Sequence, residues 1–132
     1  MKRDMDLVRK LLLDIEKADE SRPSMADLIG YPLDEVELDV REKYAYHLKM
    51  LVEQAGLVTG IDASSLSGGD WMNLQLTWQG HDFLDNTRSS AVWKKTKEGA
   101  EKVGGAGWDV LVGLAKEYVK QEVKAKLGFD LG

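Results

Sequence analysis

The stretch from Val40 to Thr77 constrains the fold of this chain more than any other. Val40, Tyr44, Leu48, Leu51 and Ala55 recur at helical spacing, and the helix closes on Ala55-Gly56, with Gly56 where helices commonly turn left-handed. A β-prone run follows at once, Leu57-Val58-Thr59-Gly60-Ile61. Asp62 to Asp70 is a turn-rich loop holding Ser64-Ser65 and Ser67-Gly68-Gly69, and Met72 to Thr77 returns as a second strand. Two strands joined this way pair as an antiparallel hairpin with a long loop. The spacing therefore predicts helix, strand, loop and strand in unbroken succession, an α+β chain.

The flanking segments are helical. Leu7, Val8, Leu11, Leu12, Ile15 and Ala18 predict an amphipathic helix over about residues 3–19, with Asp4 and Asp6 at the positive end of its dipole. Ser21-Arg22-Pro23-Ser24 breaks that pattern. Met25 to Ile29 reads as one short helical turn, capped by Ser24 and closed by Gly30. After Tyr31-Pro32, Val36-Glu37-Leu38 alternates like a very short strand, and Asp39 with Glu42 forms a capping pair for the helix that follows. Thr77 is placed to cap a helix from Trp78 to Thr87. Beyond Arg88 comes a basic helical segment around Lys94, Lys95 and Lys97, then the linker Gly104-Gly105-Ala106-Gly107, then a last helix from about Trp108 to Leu127.

Length and composition bound the class. The 132 residues suit one domain or a small domain with a helical extension, able to bury roughly two-thirds of the surface of the unfolded chain. There is no cysteine, which excludes disulfides, thiolate zinc sites and cysteine nucleophiles. No apolar run approaches the ~20 residues that span a bilayer, and acidic residues stand where a signal peptide needs an apolar core, so a cytoplasmic protein without membrane contact is expected. The net charge is −5, so any attraction to nucleic acid must come from a local basic patch.

Helix, hairpin and preceding helices together predict a winged helix-turn-helix-like domain over residues 1–88, in which the hairpin is the wing, with a C-terminal helical extension over 89–132. Several blocks also resemble one family. They are Met1-Lys2-Arg3-Asp4-Met5-Asp6 with Leu7-Val8-Arg9-Lys10-Leu11-Leu12, then Tyr46-His47-Leu48 with Ala55-Gly56-Leu57, then Leu76-Thr77-Trp78-Gln79-Gly80-His81-Asp82-Phe83-Leu84-Asp85, then Val92-Trp93. The chain is thereby similar to the bacterial and phage family known as domain of unknown function 2513. That resemblance implies a winged-helix-like fold, a frequent phage or prophage setting, and no assigned activity or ligand residues. His47-Leu48 and Leu51 with Ala55-Gly56-Leu57-Val58 are also similar to the third helix of winged-helix repressors. Those repressors carry a well-formed second helix just upstream. Pro32 and Val36-Glu37-Leu38 make that approach degenerate here.

Candidate sites follow from the charge pattern. On the helix after Val40, Arg41, Lys43, Tyr46 and Lys49 are the residue types that bond phosphates and base edges. Glu42 and Glu53 offset them, and the wing offers Asp62 and Asp70 but no Lys or Arg. Lys94, Lys95 and Lys97 form a second basic group. The alternative is that these charges only solvate helix surfaces. Trp108, Leu111, Val112, Ala115, Val119 and Val123 make a broad apolar stripe on the last helix, a candidate association surface.

Other constellations favour plain structural readings. His47 and His81 lack metal-ligand spacing, so no metal is expected, and His47 reads as a packed, hydrogen-bonded side chain. His81-Asp82 has no nucleophile beside it. The glycine-rich linker is preceded by no strand and followed by no Lys-Ser/Thr, so it is no phosphate loop. Trp71, Trp78, Trp93 and Trp108 read as core and interface anchors. The sequence thus points to a non-enzymatic, cofactor-free protein resembling a transcription regulator, with double-stranded DNA as partner. The competing reading is a winged helix turned to protein association, with a second copy or another protein as partner.

Overall fold

The computed structural model describes residues 1–18, 21–30, 32–63, 70–102 and 108–128, apart from the side chains of Leu33, Trp108 and Asp109. The chain is α+β, mostly helical, with a two-stranded antiparallel hairpin. It divides into two compact units, Met1–His81 and Asp82–Gly132.

In the first unit, α1 spans Met5–Lys17 and buries Leu7, Val8, Leu11, Leu12 and Ile15, the stripe its spacing predicts. Full burial of each such side chain contributes about 2 kcal/mol. Asp4 caps it, Oδ1 accepting the Leu7 N–H at 3.1 Å. Helix α2, Met25–Ile29, is closed at both ends by the residues the sequence offers. Ser24 Oγ accepts the Asp27 N–H at 3.2 Å while Asp27 Oδ2 accepts the Ser24 N–H at 2.9 Å, a reciprocal capping box. Gly30 then turns left-handed at φ +89°.

The short strand expected at Val36-Glu37-Leu38 is not formed. Pro32 instead starts a 3-10 turn over Leu33–Glu35, its carbonyl accepting the Glu35 N–H at 3.0 Å, and Leu38 already begins α3, Leu38–Glu53. An isolated alternating triplet has no neighbouring strand to satisfy its backbone, whereas a helix satisfies its own. The Asp39–Glu42 cap also fails. Glu37 occupies the cap position without a side-chain bond, and Asp39 Oδ1 accepts the adjacent Val40 N–H at 2.9 Å. The middle of the expected stripe is buried at Leu48 and Leu51 and half-buried at Tyr44, but His47 joins the buried face, and the ends of the stripe, Val40 and Ala55, are exposed.

Gly56 takes φ +67° and lets the Leu57 N–H return to the Leu51 carbonyl at 3.0 Å, turning the chain directly into the hairpin. Strand β1, Val58–Asp62, pairs with β2, Trp71–Leu76, through Val58↔Leu76, Thr59↔Gln75, Ile61↔Met72 and Asp62↔Trp71. One extra residue in β2 makes a bulge opposite Gly60, with Asn73 at φ +56°. The bulge aims Leu74 into the core, so close to Gly60 that a Cβ there would stand 2.7 Å from Leu74 Cδ2. The Leu74 N–H donates to the Pro23 carbonyl at 3.0 Å, which ties the hairpin to the segment before α2. The expected loop tip, Ser64 to Gly69, lies outside the described residues. The order of short helix, longer helix and hairpin is consistent with a winged-helix-like layout.

Helix α4 runs Trp78–Thr87, and the division between the units falls within it. In the second unit, α5 spans Ser90–Lys102 and α6 spans Trp108–Leu127. Phe83 meets Trp93 edge-on at 6.4 Å. The buried Thr87 and Thr96 hydroxyls donate back to the Phe83 and Val92 carbonyls at 2.8 Å each, so neither polar group is left unsatisfied. Gly99 lets α6 approach α5 closely, since a Cβ there would lie 2.9 Å from the Tyr118 hydroxyl. The linker expected at Gly104 to Gly107 lies outside the described residues. No described helix is long and apolar enough to cross a membrane.

Candidate functional site

Helix α3 carries most of the residues that the sequence nominates for DNA contact, so its outer face is the first candidate. Its inner face is fixed by His47, which is wholly buried. His47 Nδ1 lies 2.8 Å from the Lys43 carbonyl, one turn back, and Nε2 accepts the Asp4 N–H at 2.8 Å. A carbonyl can only accept and an N–H only donate, so the ring is the neutral tautomer protonated on Nδ1. The packed, hydrogen-bonded role expected for His47 is therefore observed, and the bonds lock α3 against the start of α1.

With that face turned inward, helical geometry of about 100° per residue distributes the rest. Glu42, Tyr46, Lys49 and Glu53 form the centre of the outward face, and all four are exposed. Arg41 and Lys43 fall on opposite flanks. Arg41 is half-buried, with Nε buried and lacking a hydrogen-bond partner. Lys43 Nζ is held by Asp4 Oδ2 at 2.9 Å. That hydrogen bond keeps the Asp4 carboxyl below the usual carboxylate range, the Leu7 and Asp6 N–H groups adding to it against some desolvation. Tyr46 packs edge-on to His47 at 5.5 Å. The four nominated residues thus do not gather into one basic patch. Of the nominated cations on α3, Lys49 alone projects from the centre of the face, beside Tyr46 and between two glutamates.

The hairpin adds apolar rather than basic surface. Ile61 and Met72 face each other across the ladder and are 57% and 47% exposed. At the loop end of the ladder Asp70 is half-buried, and Oδ1 has no hydrogen-bond partner. Burial pushes its carboxyl above the usual range, the nearby N–H groups of Ala26, Trp71 and Met25 oppose the shift, and Asp27 adds repulsion. At the other end of α3, Leu38 is 60% exposed beside Glu37 and Asp39.

Trp78 is the residue whose place differs most from expectation. Trp71 and Trp93 are buried anchors, but Trp78 is 85% exposed. A helical wheel contains the signal: Gly80, Phe83, Leu84 and Thr87 form the buried side of α4, and Trp78 projects from the opposite side. The backbone beneath it is fixed. Thr77 Oγ1 donates to the Gly56 carbonyl at 2.7 Å and accepts the Gly80 N–H at 3.1 Å, and the Thr77 N–H reaches the Leu57 carbonyl at 3.0 Å.

In the second unit Lys94 and Lys95 are exposed, and Lys97 lies over the Trp93 ring at 6.0 Å. Of the nominated association stripe, Leu111 and Ala115 are buried, Val112, Val119 and Val123 are half-buried, and the Trp108 side chain lies outside the described residues. The two histidines are not brought into a metal site: His81 Nδ1 stands 3.9 Å from Glu16 Oε2, and no three metal-ligating side chains cluster among the described residues.

A protein of Haemophilus influenzae, known as an uncharacterized protein, is 38% identical to this chain over 99 residues, covering 74% of this chain and 76% of the relative. No solved structure matches the chain. The family model described as Hypothetical protein (DUF2513) matches residues 2–106, so α6 lies beyond the matched region, and the chain belongs to that family.

Proposed function

We propose that the Met1–His81 unit is a winged-helix-like module used for protein association rather than for reading DNA. The observation that carries this reading is the charge of the unit. It holds nine Lys and Arg against fifteen Asp and Glu, an excess of six negative charges. Phosphate contacts supply nearly all non-specific affinity for DNA and need clustered cations. Here the helix that would enter the groove presents two glutamates, a tyrosine and one lysine at its centre, while Lys43 is already paired within the chain. The same unit exposes Leu38, Ile61, Met72 and Trp78, the kind of surface that partners bury.

DNA binding is the competing reading, and in this unit it would rest on Lys49, which is exposed. A salt-titrated mobility-shift assay on genomic fragments separates the two. The association reading expects no shift even at low salt. A shift that weakens steeply with salt, and whose salt dependence is reduced by Lys49→Ala, would overturn it in favour of DNA.

A further inference from the structure

The association reading leaves the partner's chemistry open, and Trp78 narrows it. We propose that Trp78 anchors a cationic peptide segment, one bearing arginine or lysine, at the start of α4. This inference rests on the association reading and adds the partner class and the residue that holds it.

Three observations converge on this indole. Tryptophan brings a large apolar area and is among the residues most often found at the energetic centre of interfaces, yet this one is 85% exposed. The backbone that carries it is also fixed. Thr77 bonds to both Gly56 and Gly80, and Gly80 sits so tightly under the Leu57 carbonyl that a Cβ would lie 2.2 Å from that oxygen. On this fixed backbone, binding has only the rotamers of the side chain itself to order.

The third observation is electrostatic. The Thr77–Gly56 bond sets the start of α4 beside the end of α3, where Glu53 is exposed, on a unit with six excess negative charges. An indole face attracts guanidinium and ammonium groups, and the net negative potential of the unit draws the same groups toward it. An exposed aromatic can also stack a nucleic-acid base, but the phosphates attached to that base would meet the same potential and be repelled.

The test uses the full chain and fluorescein-labelled hexa-arginine, read by fluorescence anisotropy at low salt. Hexa-glutamate and oligodeoxythymidine are the counter-probes. The wild-type chain is expected to bind hexa-arginine and neither counter-probe. Trp78→Ala is expected to weaken binding about fivefold, with Trp78→Phe falling between. Its exposure means that Trp78→Ala should leave the thermal midpoint unchanged, so a loss of binding reports the site and not unfolding. Failure of the wild type to bind hexa-arginine overturns the cationic partner. Equal affinity in Trp78→Ala overturns Trp78 as the anchor while leaving the association reading intact. Tighter binding of oligodeoxythymidine overturns both.

Discussion

His47 Nε2 accepts the backbone N–H of Asp4 at 2.8 Å, joining a buried ring on α3 to the first turn of α1 across 43 residues. The Asp4 side chain adds the ion pair with Lys43 and the cap on Leu7, so one residue closes three contacts at the same corner. Only the neutral imidazole can complete that corner.

Replacing His47 tests how much the corner carries. His47→Ala should cost about 3 kcal/mol, because a cavity is added to two backbone groups left without their partner. His47→Leu refills the space and should still cost about 1–3 kcal/mol from the unpaired groups alone. Urea denaturation measures both. A leucine variant as stable as the wild type would show that packing alone holds α1 to α3.

Asp70 gives a pH dependence of opposite sense to an ordinary ion-paired carboxylate. A carboxyl whose pKa is raised by folding binds more protons in the native state than in the unfolded one, so stability falls as pH rises through that window. Asp70→Asn should therefore be more stable than wild type at neutral pH. The difference should shrink as the pH falls, and vanish below the unfolded value of about 3.9. Thermal melts of the two proteins from pH 3 to 7 check this, and a constant difference across the range would contradict it.

Gly80 is fixed by contact rather than by conformation. The Leu57 carbonyl leaves no room for a methyl group, and a backbone atom cannot step aside as a flexible side chain can. Gly80→Ala should cost about 3 kcal/mol. The same change at Gly113, where a Cβ meets nothing within 4 Å, should be neutral or slightly stabilising by helix propensity. Chemical denaturation of the pair isolates the contact from the general effect of the substitution.

What the sequence made legible was local. Ser24, Gly30 and Gly56 act on backbone groups within a few residues, as Thr77 does toward the Gly80 N–H, so capping rules place the corresponding helix ends. The hairpin was legible because its strands follow each other and alternate. What escaped depended on distant partners. Nothing near Lys43 indicates that Asp4, 39 residues away, takes its charge. The basic residues of α3 suggest a DNA face by their number, but with His47 buried the helix turns Arg41 and Lys43 to opposite flanks. Val36-Glu37-Leu38 was misread because alternation alone cannot supply the neighbour a strand requires. Trp78 needed only a wheel of α4, which sets it opposite the buried side.

The single bond from Leu74 to the Pro23 carbonyl limits how far the sheet can grow. Proline accepts through its carbonyl but has no N–H to give in return, so the hairpin gains a lateral fastening without gaining a third strand. A residue with an N–H at that place could begin a ladder and recruit further chain. Pro23 therefore meets the sheet edge at Leu74 without extending the ladder there.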